Sequence, residues 1–195
     1  MSGKFRYSAP GWLVSPCMTS QVITSGRHRR PSPVRQGTAV VLAWAAVVIL
    51  APRVETSPTV HGIALFAHLG SLLVGFGAVL LVDWFGLLWL ARRRSLADVL
   101  RTAQGAHVPT WLGFTGLLVS GALLAPVPTT LTTVKLLAVL AVGLNGVFAG
   151  SLLSKLSRYS ERRLPTSLLI RASAATTLSQ GAWWTAVVIG YLNSQ

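Results

Sequence analysis

The chain has 195 residues, of which 52% are hydrophobic and only 11% charged, a balance that excludes an ordinary soluble domain and points to an integral membrane protein. Its net charge of +13 collects in short segments between apolar runs, so it reads as membrane orientation and not as a nucleic-acid-binding face. The single cysteine, Cys17, excludes an intrachain disulfide and a cysteine-rich metal site.

Residues 1–36 are polar and basic and are broken by Pro10, Pro16, Pro31 and Pro33; they read as a disordered cytoplasmic tail. The bundle expected after it occupies residues 37–195. Its first apolar segment, 37–52, is short enough to be a signal-peptide core. Cleavage after Ala51 would set Pro52 directly after the cut and put Ile49 where a small residue is needed, so an uncleaved anchor is expected.

The second segment, 61–91, is a nearly continuous apolar run interrupted by His61, His68 and Asp83, and it ends at Arg92, Arg93 and Arg94. A bilayer core needs roughly 20 apolar helical residues, so this run can cross with tilt or overhang. Ionisable groups in such a span are expensive and mark it for attention. At about 100° per residue, His61, Ala64, His68, Ser71, Gly75 and Gly86 share one small and polar face with Asp83 at its edge, and that face should meet other helices.

Further spans are expected at 108–125, 131–153 and 166–192. The third carries Gly113, Gly116, Ser120 and Gly121, and the fourth has Gly146 and Gly150 at a spacing that lets helices approach closely. In the fifth, Ser173, Thr176, Thr177 and Gln180 share a face that can hydrogen-bond across the bundle. Trp89, Trp111, Trp183 and Trp184 fall near span ends, where indoles favour the interface. Arg92, Arg93, Arg94 and Arg101 occupy one connection, and Lys155, Arg158, Arg162 and Arg163 another. The remaining connections hold Arg53 and the nearby Lys135. The fold class is therefore all-α, a bundle of about five transmembrane helices with its N-terminus inside and its C-terminus outside.

Depth then sorts the polar groups. At about 1.5 Å per residue, Asp83 lies about 12 Å above the cytoplasmic end at Ala91, and His68 about 34 Å above it, near the outer interface. Lys135 opens the fourth span from the outer side and shares that level with His68, whereas His107 starts the third span at the inner side. Arg171 matches Asp83 in depth, which makes the two a candidate ion-pair or proton site; the alternative for Arg171 is to snorkel to the headgroups. Hydrolase and phosphate-loop signatures are missing from the sequence, and the soft ligands that copper(I) prefers, Met1, Cys17 and Met18, all lie in the tail.

The histidine-bearing span ending in arginines, followed by HVPTWLGFTGLLVSGALL and LTTVKLLAVLAVGLNG, resembles small bacterial membrane bundles of the copper-resistance protein D type. It is also similar to the membrane-bound haem-containing protoporphyrinogen oxidases, whose pattern has a histidine on an early span and a lysine opening a later one. The resemblance covers about residues 60–150 and implies haem b, with His68 and Lys135 at the matching positions. The Trp and Arg-Tyr pattern of the oxidases' first span is missing, and Asp83 is foreign to that pattern.

The expectation is thus a multi-pass protein of the bacterial cytoplasmic membrane, either binding a haem-like cofactor or conducting a small solute or ion. The alternative is a non-catalytic membrane subunit or scaffold whose polar residues serve helix packing. The expected partners are the lipid bilayer and other membrane proteins or further copies of the chain, with no nucleic acid.

Overall fold

Five long α-helices follow one another through the residues described by the computed structural model, which are 32–124, 129–159 and 165–193. They are α1 (Pro33–Leu50), α2 (Pro58–Leu90), α3 (Leu96–Leu123), α4 (Thr130–Leu156) and α5 (Thr166–Leu192), with 3₁₀ turns at Ala51–Arg53 and Ser157–Tyr159. Helix makes up 91% of the described residues, which contain no strand. The expected tail lies outside the described residues up to Pro31, as do Cys17, residues 125–128, Arg162 and Arg163.

Four of the five helices start where the chain supplies a side-chain cap, and α5 opens at Pro165 without one. Ser32 accepts from the Arg35 amide with Pro33 in the first turn, so α1 begins four residues earlier than its apolar segment suggested. Ser57 and Thr129 cap α2 and α4 in the same way. Helix α3 starts twelve residues before the span expected at 108, because Ser95 and Asp98 form a reciprocal capping box. Arg101 and His107 therefore lie within a helix that runs on through Pro109.

Three segments are long and apolar enough to cross a membrane by length and composition: Pro33–Arg53, Pro58–Leu90 and Thr130–Tyr159. Their outward surfaces agree with that reading, since Phe66 is 81% exposed, Leu73 77% and Leu42 64%. Such faces are uncommon on a soluble monomer.

Close contacts set the arrangement. On α2 and α3, Gly75 meets Gly113, Ser71 meets Gly116 and His68 meets Ser120 and Gly121, so these helices are antiparallel. On α3 and α4, Trp111 lies over Gly146 and His107 beside Gly150, again antiparallel. Trp44 of α1 donates to the Leu136 carbonyl of α4 at 2.7 Å, and Asn145 of α4 donates to the Ala175 carbonyl of α5 at 2.9 Å. Phe76 of α2 stacks on Trp183 of α5 with ring centroids 5.3 Å apart. The result is an up-and-down bundle with Val40, Phe76, Phe114, Leu118, Val142 and Trp183 at its core.

At Gly75 and Gly113 the two backbones come into direct contact. A Cβ at Gly113 would stand 2.4 Å from the Gly75 Cα, so backbone lies against backbone there, and only residues without a Cβ fit. Gly146 and Gly150 play a different part from the close helix approach expected of them: each receives an aromatic ring from α3.

Because the helices alternate in direction, Arg92, Arg93, Arg94, Arg101, Lys155 and Arg158 gather at one end of the bundle, with Arg35 and Arg171 about two turns in from it, level with the stretch of α4 that follows Gly143 and Asn145. The opposite end has Arg53 and Lys135.

Candidate functional site

The polar face of α2 divides between two neighbours. Its N-terminal half, from Ala64 to Gly75, packs against α3. There the His68 Nδ1 lies 3.0 Å from the Ser120 Oγ, and Ser120 also donates to the Gly116 carbonyl at 2.5 Å. With the Ser120 proton committed to that carbonyl, its oxygen is left to accept, so Nδ1 carries the imidazole proton in this arrangement. The Cε1 edge of the same ring lies 3.6 Å from where a Cβ at Gly121 would stand. His61 and Gly86, at the two ends of the expected stripe, are outside this seam: His61 is exposed, and Gly86 has open space where a Cβ would be.

Lys135 reaches toward the same region from α4. Its ammonium lies 3.8 Å from a Cβ built at Gly190 of α5, within electrostatic range of His68. Ser120 is thus bonded to His68, and Lys135 acts on that histidine electrostatically from the N-terminal part of α4.

Asp83 belongs to a second, separate cluster. Gln180 of α5 donates to its carboxylate at 2.5 Å, and the Trp184 indole donates to the Gln180 carbonyl oxygen at 3.1 Å. The Trp184 ring also meets Phe76 edge-on at 5.4 Å. The expected pairing of Asp83 with Arg171 is not formed. Arg171 is exposed and sits nine residues before Gln180, roughly 13 Å away along α5, while Gln180 already occupies the carboxylate. Among the described residues the ion pair present is Arg101–Asp98 at 2.6 Å, on the first turns of α3.

Two further expectations change. Ser173, Thr176 and Thr177 are exposed, because α5 turns Ala175, Ala182, Trp183 and Ile189 inward, and of the expected hydroxyl and amide face Gln180 is the residue that bonds to another helix. Trp183 is a core residue, 3% exposed, and not an interfacial indole. Asn145 escaped notice in the sequence although an amide in the middle of an apolar run is itself a signal; it is buried and satisfied by Ala175.

Two grooves are open on the bundle. One, of about 310 Å³, lies between α2 and α3 and is lined by Ala64, Ala67, Ser71, Gly116 and Ser120 among others; the second, of about 430 Å³, lies between α4 and α5. Neither is lined by His68 or Lys135. The bond from His68 Nδ1 to Ser120 leaves Nε2 as the nitrogen that would meet an iron, the usual arrangement of a ligating histidine, but neither groove is bordered by that ring. Among the described residues there is likewise no group of three or more His, Cys, Asp or Glu side chains placed to hold a metal. No protein-family model, curated protein or solved structure matches the chain.

Proposed function

We propose that the chain is a five-span membrane bundle of a bacterial cytoplasmic membrane, N-terminus inside and C-terminus outside, acting as a non-catalytic membrane subunit or scaffold. The observation that carries this reading is the separation of its polar groups. His68 and Asp83 are fifteen residues apart on α2, about 22 Å along the axis, and each is spent on a different interhelical hydrogen bond. Groups used in this way fix which helices meet and in what register. Helices α3 and α5 are less apolar than the other three, which suits spans that pack through polar and small residues. The collection of basic residues at one end supports the orientation.

Absorbance spectra of the purified protein with and without dithionite, together with solute flux in liposomes, test the functional reading. A Soret band, or flux above that of empty vesicles, overturns it. Phosphatase fusions test the topology: activity is expected after Gln195 and none at Ser95.

A second reading rests on Lys135. It is a half-buried cation within electrostatic range of His68, and among the described residues no carboxylate pairs with it. This favours a small-ion or solute site at the outer end, the sense in which the resemblance to the copper-resistance D type would apply. Flux that disappears in both Lys135→Ala and His68→Ala would support this reading over the scaffold.

A further inference from the structure

Helix α2 ends in the common left-handed cap, but with an arginine where glycine is usual. Arg93 N–H bonds to the Leu88 carbonyl at 2.8 Å and Arg92 N–H to the Trp89 carbonyl at 2.9 Å, a pattern that places Arg92 in the left-handed conformation at φ 58°. Glycine is the residue that fits there without strain. An arginine held in that conformation, followed directly by two more, is an observed outlier of the kind that accompanies a functional constraint. All three side chains are exposed. The acid nearest to them in sequence, Asp98, is already engaged by Ser95 and Arg101.

Just above the arginines, Trp84, Leu87 and Leu90 form an exposed apolar row on α2, 58%, 59% and 69% exposed. Arg94 folds back along the helix, with its guanidinium 5.9 Å from the Phe85 ring centroid, and so stands where apolar surface gives way to charge. A nucleic acid would use the charge and leave the apolar row uncovered. A phospholipid with an anionic headgroup uses both.

We infer that Arg92, Arg93 and Arg94, with the row Trp84, Leu87 and Leu90 beneath them, form a seat for an anionic phospholipid such as phosphatidylglycerol. The inference rests on the membrane reading above. The guanidinium groups hold the headgroup phosphate, and the apolar row takes the first part of an acyl chain.

The test uses full-length protein in detergent, titrated separately with phosphatidylglycerol and phosphatidylcholine and followed by native mass spectrometry. Phosphatidylglycerol should bind at least about tenfold more tightly. The preference should fall by about fivefold per arginine removed, and should vanish in R92Q/R93Q/R94Q. R92G is the informative single variant: it relieves the left-handed strain, so its melting temperature should hold or rise while its lipid preference drops. R53Q, at the other end, should retain the preference. Equal affinity for the two lipids, or a preference that survives the triple variant, overturns the inference. So does an RNA oligonucleotide that displaces phosphatidylglycerol at lower concentration. Flotation with pure phosphatidylcholine vesicles separates the two levels of the argument. A protein that floats with neutral vesicles but shows no anionic preference defeats this inference alone, and one that does not float defeats the membrane reading itself.

Discussion

Asp83 on α2 and Gln180 on α5 are joined by a hydrogen bond of 2.5 Å, and the same Gln180 accepts from Trp184 at 3.1 Å. The two helices are far apart in sequence, so this polar link and the stack of Phe76 on Trp183 bring the first hairpin against the last helix. Gln180 donates to Asp83 through its amide nitrogen and accepts through its oxygen, which leaves both ends of the side chain satisfied.

Replacement of Asp83 by Asn should be mild, because its side-chain oxygen can still accept from Gln180. Asp83→Leu removes the acceptor and should cost about 1–3 kcal/mol, since it leaves the Gln180 amide without a partner in an apolar setting. Gln180→Leu in an Asp83→Leu background should restore part of the loss. Thermal unfolding in detergent of the two single variants and the double variant gives the coupling directly, and additive losses would show that the two side chains act independently.

Glycine substitutions should sort by what each Cβ meets. Gly113→Ala drives its methyl into the backbone of Gly75 at 2.4 Å and should destabilise the α2–α3 hairpin by about 1–3 kcal/mol. Gly121→Ala meets His68 only at van der Waals distance, and Gly70→Ala meets open space, so both should melt within a degree or two of the parent. Melting curves of the three variants check the ranking, which would fail if Gly113→Ala were the mildest.

The small and polar stripe of α2 is legible in the sequence because a helix repeats about every 3.6 residues, and Ala64, His68, Ser71 and Gly75 fall into line on that period. Its partner is not legible, since every other span also offers small residues; only the assembled bundle assigns Gly113, Gly116 and Ser120 to it. The same limit explains Arg171. The depth count matched Arg171 to Asp83 by taking the ends of α2 and α5 as level, but Gln180, nine residues further along α5, is the residue that meets Asp83. The early start of α3 is legible in the sequence, because Ser95 and Asp98 at a three-residue spacing are a capping signature, although the polar stretch from Ser95 to His107 falls outside the apolar run that marks the span.

That cap has a pH dependence of known sign. Asp98 lies outside the apolar spans, and its hydrogen bonds to the Ser95 side chain, then to the Ser95 backbone and to Arg101, hold its carboxyl below the ordinary value of 3.8. A carboxyl lowered on folding contributes stability above its unfolded value and loses that contribution as pH falls through the folded one. The start of α3 should therefore fray below about pH 4. Hydrogen exchange at the amides of residues 96–101 should rise there in the parent, and Asp98→Asn should exchange at a constant higher level across the same range.

His68 yields the last prediction, because packing and ligand roles part company there. Ser120 keeps its own bond to the Gly116 carbonyl when His68 is gone, so His68→Ala leaves no buried hydroxyl stranded. Its cost should be confined to the lost interhelical bond and ring packing, about 1–2 kcal/mol. Ser120→Ala removes the acceptor for Nδ1 and should cost a similar amount, and the double variant should cost less than the sum of the two. Lys135→Gln, which keeps length and loses charge, should leave the melting temperature within a few degrees of the parent if His68 serves packing alone. The measurement that decides is solute flux in liposomes beside the melting curves. Variants that melt as described while the parent shows no flux fit helix packing. A parent with flux that is lost in Lys135→Gln at unchanged melting temperature assigns His68, Ser120 and Lys135 to a working site.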